Sequence, residues 1–119
     1  MIELKKINKK HVNKNYLKWM NDQVVHQYTE QRHINHTLQK IKKFIDQKNK
    51  SKNEFLYGIF FNNRHIGNIK LGPINFKHRY AVISYFIGEK ELQSKGYATL
   101  AIKKVVSIAK KMKIKKLKA

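Results

Sequence analysis

One loop of the sequence, Gln93 to Ala98, has residue types that could bind an anion at the start of a helix. A helix beginning near Ala98 would leave its first backbone N–H groups without acceptors, and these groups, with the aligned peptide dipoles, attract negative charge. Gly96 lets the backbone approach an anion without a Cβ in the way, and the small Ala98 keeps the first turn open. Neither G-x-G-x-x-G nor G-x-x-x-x-G-K-[ST] occurs, so an ordinary helix start after a glycine stays open as the alternative.

The six histidines raise the question of a metal site. His33 and His36 stand three residues apart, which on a helix would place both on one face, but Ile34-Asn35 and the capping residue Thr37 indicate a loop. Spacing offers no third ligand, so the sequence predicts no metal. Arg32, His33 and His36 could instead bind a phosphate-bearing acceptor substrate, or they could form an ordinary polar loop.

Net charge is the main compositional feature, because 27 Lys+Arg against 7 Asp+Glu give a formal charge of +20. Such a charge attracts nucleic acid, since lysine and arginine release counterions from a phosphate backbone. A phosphate-bearing cofactor or a nucleotide-linked substrate would serve equally as the polyanion. Lysines occur in nearly every segment, however, so a broad compositional bias explains the charge as well as functional attraction does.

Length and composition exclude several classes of protein. The 119 residues predict one domain, residues 1–119, because single cores usually run to roughly 100 to 200 residues. The longest apolar stretches fall far short of the ~20 residues of a transmembrane helix, and the charged N-terminus lacks a signal peptide, so we expect a cytoplasmic protein. The absence of cysteine excludes disulfides, thiolate nucleophiles and cysteine-ligated zinc.

Hydrophobic periodicity predicts the strands and the first helices. Strands are expected at about residues 2–7, 55–61, 66–71 and 80–87, with a turn at Asn62-Asn63 and a strand stop at Gly72-Pro73. A first helix is predicted by the spacing of Val12, Tyr16, Trp19 and Met20. Asn21-Asp22 would end that helix and cap a short one carrying Val24, Val25 and Tyr28. Thr37 would cap the next helix, whose apolar stripe is Leu38, Ile41, Phe44 and Ile45.

A long amphipathic helix is predicted to follow the loop, from about Ala98 to Met112. At about 100° per residue, one sector is apolar and contains Ala98, Ala101, Ile102, Val105, Ile108, Ala109 and Met112. Residues from Ile114 onward could form a further strand, parallel to the 80–87 strand because a helix crosses between the two.

In this setting the loop resembles a known motif. Gln93-Ser94-Lys95-Gly96-Tyr97-Ala98 follows the strand Ile83 to Gly88 and precedes an amphipathic helix, and it resembles the acetyl-CoA motif [QR]-x-x-G-x-[GA] of the Gcn5-related N-acetyltransferase (GNAT) family. Residues 16–22 and 67–71 are similar to stretches of the branch that contains ribosomal-protein and amino-sugar acetyltransferases. The resemblance spans about residues 2 to 119 and implies an α/β (α+β) fold with a mixed, mostly antiparallel central sheet flanked by helices.

The resemblance also implies roles for individual residues. The backbone around Phe86, Ile87 and Gly88 would hydrogen-bond the pantetheine arm of acetyl-CoA. Amides of the loop and of Thr99 would hold the pyrophosphate, which makes the implied cofactor-binding set Phe86, Ile87, Gly88, Gln93, Ser94, Lys95, Gly96, Tyr97, Ala98 and Thr99. Lys95 would add charge nearby, or would be an ordinary solvated lysine.

Two departures from the family pattern stand out. Leu100 occupies a position that is often acidic in this branch, and the helical angle predicts that it is exposed. Family members continue with a further helix and strands that often supply a tyrosine acid, so we expect the chain to be C-terminally truncated, with an unpaired strand edge. A homo-oligomer is therefore an open alternative.

The implied reaction is attack of a neutral primary amine on the acetyl thioester, which requires a base, an oxyanion donor and an acid. Glu30 is the candidate base, and Tyr85 could act through its hydroxyl if it faces the cleft, with an exposed loop glutamate and a core aromatic as their alternatives. We therefore predict an acetyl-CoA-dependent N-acetyltransferase of a small-molecule amine, with a nucleotide-linked amino sugar ahead of a protein N-terminus. A non-catalytic nucleic-acid-binding module and an inactive fragment are the competing hypotheses; a membrane partner is not expected.

Overall fold

Strands and helices are interleaved along the chain. The computed structural model describes residues 2–22, 25 and 35–119. The helices and strands are β1 Ile2–Lys6, α1 Lys14–Asn21, α2 Leu38–Lys50, β2 Phe55–Phe61, β3 Arg64–Asn75, β4 Tyr80–Ile87, α3 Tyr97–Lys111 and β5 Lys116–Lys118. Short 3-10 turns lie at Lys9–His11 and Lys90–Leu92.

The strands form one five-stranded sheet in the order β1-β2-β3-β4-β5. The first four are antiparallel neighbours, and β5 runs parallel to the beginning of β4, where Tyr80 pairs with Lys116. The β2–β3 hairpin turns at Asn62 and Asn63, whose φ angles of 49° and 66° asparagine tolerates better than most residues. The predicted mixed, mostly antiparallel sheet is thus confirmed, including the parallel strand that follows the α3 crossover.

Each face of the sheet carries its own apolar cluster. On one face α3 packs through Ala101, Val105 and Ala109 against alternate residues of the strands, among them Ile59, Ile69, Leu71, Ala81 and Ile83. On the other face α1 and α2 cover a smaller cluster formed by Ile7, Tyr16, Ile41, Ile45 and Leu56. The predicted apolar sector of α3 is the sector that contacts the sheet, and Leu100 lies outside it with 44% of its surface exposed.

The course of β3 differs from the sequence prediction. Gly72-Pro73 was expected to stop the strand, but β3 continues to Asn75 across an irregularity between Leu71 and Ile74. Pairing with β4 resumes at Ile74 and Asn75, and the Ile74 N–H donates to the Asn53 carbonyl at 2.8 Å. A proline lacks only its own N–H, so a strand can pass it where neighbouring residues keep the pairing.

The helix predictions are partly corrected. Helix α1 begins at Lys14, after Val12, because the Asn13 side chain caps it by accepting from the Tyr16 N–H at 2.9 Å. Thr37 caps α2 as predicted, with Oγ1 accepting from the Lys40 N–H at 3.2 Å.

The predicted apolar stripe of α2 is narrower than expected. Ile41 and Ile45 are buried, whereas Leu38 and Phe44 are 37% and 36% exposed. The Phe44 ring lies instead beneath the Lys48 amine, 5.2 Å from ring centroid to nitrogen. The short helix predicted around Val24 to Tyr28 falls outside the described residues except for Val25, whose N–H donates to Asp22 Oδ1 at 3.3 Å. None of the helices described is long and apolar enough to cross a membrane.

Candidate functional site

The first turn of α3 has the features expected of an anion site. Gly96 precedes the helix in the left-handed conformation, with φ 85° and ψ 1°, and no protein atom would lie within 4 Å of a Cβ at this position. No side chain caps the helix, and its first turn contains no acidic residue. By helix geometry the N–H groups of Tyr97, Ala98 and Thr99 have no intrahelical acceptor, and the space around Gly96 is open.

The loop before α3 is fastened to the sheet at both ends. The Gln93 side chain donates from Nε2 to the Ile87 carbonyl at 2.8 Å, which joins the start of the loop to the end of β4. At the other end the Tyr97 ring packs against Phe61 of β2, with 4.8 Å between ring centroids. Ser94 is left-handed at φ 60°, and Ser94 and Lys95 are both exposed. The sequence motif assigned Gln93 only a backbone role; its side-chain contact was missed.

The end of β4 presents backbone groups alternately to its two sides. The Gly88 N–H donates to the Ile66 carbonyl of β3 at 2.7 Å. Because the backbone N–H and C=O groups of successive strand residues point to opposite sides, those of Phe86 also face β3. Those of Tyr85 and Ile87 face the side of β5. In the described part of the chain β5 pairs only with Tyr80–Val82 of β4. We call the segment beyond that pairing, residues 83–87, the open edge of β4.

Of the two predicted catalytic residues, Tyr85 is among the described residues and Glu30 is not. Tyr85 is 43% exposed at the open edge, on the sheet face that α3 covers, so the alternative of a core aromatic is wrong. Glu30, Arg32 and His33 lie outside the described residues. His36 is described, and its backbone N–H and carbonyl are bonded by the Asn21 side chain at 2.9 and 3.0 Å.

A polar network lies behind the open edge, on the sheet face covered by α1. Asn68, 4% exposed, donates from Nδ2 to the Tyr16 hydroxyl and lies 2.8 Å through Oδ1 from His65 Nε2. Burial raises the pKa of Tyr16 to about 12, against the opposing effect of the Asn68 hydrogen bond. Burial also lowers the pKa of His65, although hydrogen bonds to Asn68 and Gly67 oppose the shift, so the imidazole is neutral near pH 7.

Sequence reasoning missed this network, although polar residues inside the apolar β3 segment were a usable signal.

A surface pocket of about 270 Å³ lies elsewhere, at the β1–β2 edge, and is lined in part by Lys6, Lys48 and Glu54. The Glu54 carboxylate there is paired with Lys48 and Lys70, at 2.6 and 3.2 Å. Across residues 2–22, 25 and 35–119, no group of three or more His, Asp or Glu side chains is arranged to hold a metal ion.

Solved structures with the same architecture include enzymes crystallised with CoA compounds. A spermidine N-acetyltransferase from Vibrio cholerae, in complex with CoA and spermine, superposes with a TM-score of 0.75 at 17% identity, over 91% of this chain and 63% of that one. The microcin C7 self-immunity acetyltransferase, in complex with acetyl-CoA and AMP, gives 0.80 at 19% identity, over 95% and 64%. An acetyltransferase from Salmonella typhimurium that modifies the N-terminal serine of ribosomal protein L7/L12 gives 0.80 at 15% identity, over 95% and 66%.

These similarities establish the fold, and the chain spans somewhat less than two thirds of the length of the first two structures. No curated protein sequence matches the chain significantly. A family model described as the acetyltransferase (GNAT) domain matches residues 2–119. With the Gln93 to Ala98 motif placed between the open edge of β4 and the uncapped start of α3, this match shows that the chain belongs to the GNAT acetyltransferase family.

Proposed function

We propose that this protein is an acetyl-CoA-dependent N-acetyltransferase that acetylates the primary amine of a small, phosphate-bearing molecule such as a nucleotide-linked amino sugar. The observation that carries the proposal is the uncapped first turn of α3 behind the left-handed Gly96, next to the open edge of β4, where the Ile87 N–H faces away from β3. The first feature suits a diphosphate, and the second suits the amides of an extended arm.

The cofactor would be held mainly by backbone groups. The N–H groups of residues 93–99 would donate to the diphosphate, and Lys95, exposed in the same loop, would add a positive charge. Of the predicted strand residues, Ile87 directs its N–H to the open edge, whereas the Gly88 N–H is already bonded to Ile66. Ile87 and Tyr85 are therefore the favoured partners of the pantetheine amides, with Phe86 and Gly88 shaping the strand.

The chemistry requires an amine without its proton and a donor for charge that develops on the acyl oxygen. Bound acetyl-CoA supplies the thioester whose acetyl group is transferred. A backbone N–H of the open edge would stabilise the oxyanion, and the exposed Tyr85 hydroxyl would donate a proton to the departing thiolate. Glu30, the candidate base from the sequence, would accept the amine proton.

The charge of the chain favours an anionic acceptor. A net charge of +20 disfavours association with a polycation such as spermidine and accelerates association with a phosphate-bearing amine. Among the described acidic residues near the end of β4, Asp22, Glu89 and Glu91 are each paired with Lys90 or Arg64, at 3.1 to 3.5 Å. Glu89 and Glu91 share Arg64, so the ion pairs offset most of the negative charge of the three carboxylates and weaken their attraction for a cationic acceptor.

The test is release of CoA thiol from acetyl-CoA in the presence of three acceptors: a nucleotide-linked amino sugar, spermidine, and a peptide with N-terminal serine. The chain contains no cysteine, so a thiol-reactive dye detects only the product. Turnover of the amino sugar in preference to the other two is expected, with a rate that falls as salt rises. Turnover of spermidine or the peptide instead would contradict the proposed acceptor, and failure to bind acetyl-CoA by calorimetry would contradict the proposed function as a whole.

A further inference from the structure

Helix α1 makes three contacts with the residues that directly follow β4. Asn15 donates from Nδ2 to Glu89 Oε1 at 2.9 Å, Trp19 packs on Gly88, and Asp22, the C-cap residue, pairs with Lys90 at 3.5 Å. Residues 15, 19 and 22 are spaced i, i+4 and i+7, which puts them on one face of the helix. One face of α1 thus contacts the turn between β4 and the loop of residues 93–96, which we call the cofactor loop.

Trp19 occupies the space that a side chain at residue 88 would need. A Cβ built on Gly88 would overlap the indole at Cγ, Cδ2 and Cε2, so only glycine fits beneath the ring. The indole is 4% exposed. It meets the His65 ring edge-on at 5.0 Å and the Phe86 ring at 6.3 Å, measured between centroids.

The ring of Trp19 is itself held in place by the polar network. His65 is fixed by Asn68, and Asn68 is bonded to the hydroxyl of Tyr16, which lies one turn before Trp19 on α1. His65 and Tyr16 are thus both tied to the buried Asn68, and their rings lie 5.0 and 6.1 Å from the indole between centroids. The hydrogen-bonded network therefore forms one wall of the site in which the indole packs over Gly88.

Gly88 also adjoins the residue to which the start of the cofactor loop is fastened. Its N–H donates to Ile66 of β3, and the carbonyl of the preceding Ile87 accepts from the Gln93 side chain at the start of the loop. Movement of Gly88 would therefore change both the Ile87 backbone at the open edge and the anchor of Gln93.

We propose that Trp19 is a positioning residue for acetyl-CoA binding, which acts through Gly88 to set the end of β4 and the loop of residues 93–96. This inference rests on the proposed function, because it takes that loop and the open edge of β4 as the cofactor site. It assigns to α1, on the opposite sheet face from α3, an influence on the affinity for a ligand bound at the start of α3.

A double-mutant cycle in the full chain tests the inference, with the dissociation constant of CoA measured by titration calorimetry well below the melting temperature of each variant. Gly88→Ala is expected to weaken CoA binding at least tenfold, because the new methyl group and the indole compete for one space. Trp19→Leu is expected to weaken binding about tenfold, because Gly88 loses its support. In the Trp19→Leu background, Gly88→Ala should cost little more, since the methyl group now fills vacated space.

Trp19→Phe and Ile45→Ala separate positioning from plain loss of stability. Trp19→Phe keeps a ring over Gly88 and should bind CoA within threefold of the unaltered chain. Because the phenyl ring still blocks the site, Gly88→Ala should retain its full cost in that background. If Trp19→Leu does not fold, Trp19→Met, which also lacks a ring, replaces it in the cycle. Ile45 is a fully buried residue of α2, in the cluster between α1, α2 and the sheet, and makes no contact with Gly88. Ile45→Ala should lower the melting temperature and leave CoA affinity within twofold.

The outcomes are distinct. The positioning role would be overturned if the losses of CoA affinity in Trp19→Leu and Gly88→Ala simply multiply in the double variant. It would also be overturned if Trp19→Leu binds CoA as tightly as the unaltered chain. Equal losses of affinity in Ile45→Ala and Trp19→Leu would do the same, because they would trace the effect to stability alone. If the unaltered chain binds no CoA, the proposed function itself fails, and that result is read before any variant is compared.

Discussion

Gly96 allows backbone strain and ligand contact to be measured separately. Its φ of 85° is left-handed, and a Cβ there would meet no protein atom within 4 Å, so a substitution introduces strain without a clash. Gly96→Ala should therefore destabilise the ligand-free chain by about 1–2 kcal/mol, the usual cost of a left-handed non-glycine residue. Gly96→Asn should cost less, because asparagine adopts this conformation more readily.

The two variants should behave alike toward CoA. Both carry a Cβ at the point where the diphosphate would approach the α3 start in the proposed site, and loss of one hydrogen bond to a charged group costs about 1.5–3 kcal/mol, or about 10- to 100-fold in affinity. Urea unfolding followed by circular dichroism gives the stabilities, and calorimetry gives the CoA affinities. If Gly96→Asn binds CoA as tightly as the unaltered chain does, close approach to Gly96 is refuted and the glycine serves only the helix start.

Three further outcomes are expected. Asn68→Ala should lower the free energy of unfolding by about 1–3 kcal/mol in urea, because the Tyr16 hydroxyl and His65 lose a buried partner; a change within error would contradict the network. Because burial lowers the pKa of His65, the unfolded chain takes up a proton at this residue before the folded chain does as pH falls below about 6.5. The urea midpoint of unfolding should therefore fall toward pH 5, and it should fall less steeply with pH in His65→Gln. Equal pH dependence in the two proteins would count against this role of His65. Tyr85→Phe should reduce kcat by about 10²-fold or more with little change in KM if the hydroxyl is the acid, whereas an unaltered kcat in steady-state assays would exclude it.

Local chemistry made much of the fold predictable. The sector of α3 that packs on the sheet follows from residue spacing alone, and the Asn62-Asn63 turn and the Thr37 cap follow from the conformations and hydrogen bonds that these residues favour. The glycine before α3 was predictable for the same reason, since a helix start depends on residues that are adjacent in sequence.

Pairing and packing between distant residues decided the rest. Gly72-Pro73 looked like a strand stop, yet β3 passes it because β4 and the Asn53 carbonyl supply hydrogen bonds beyond it. The placement of Trp19 over Gly88 and the bond between Asn68 and Tyr16 join residues of α1 to strands far along the chain, and no local pattern encodes which side chains meet there. Such contacts depend on how α1 is seated on the sheet, which is determined by burial summed over the whole cluster and not by any single segment.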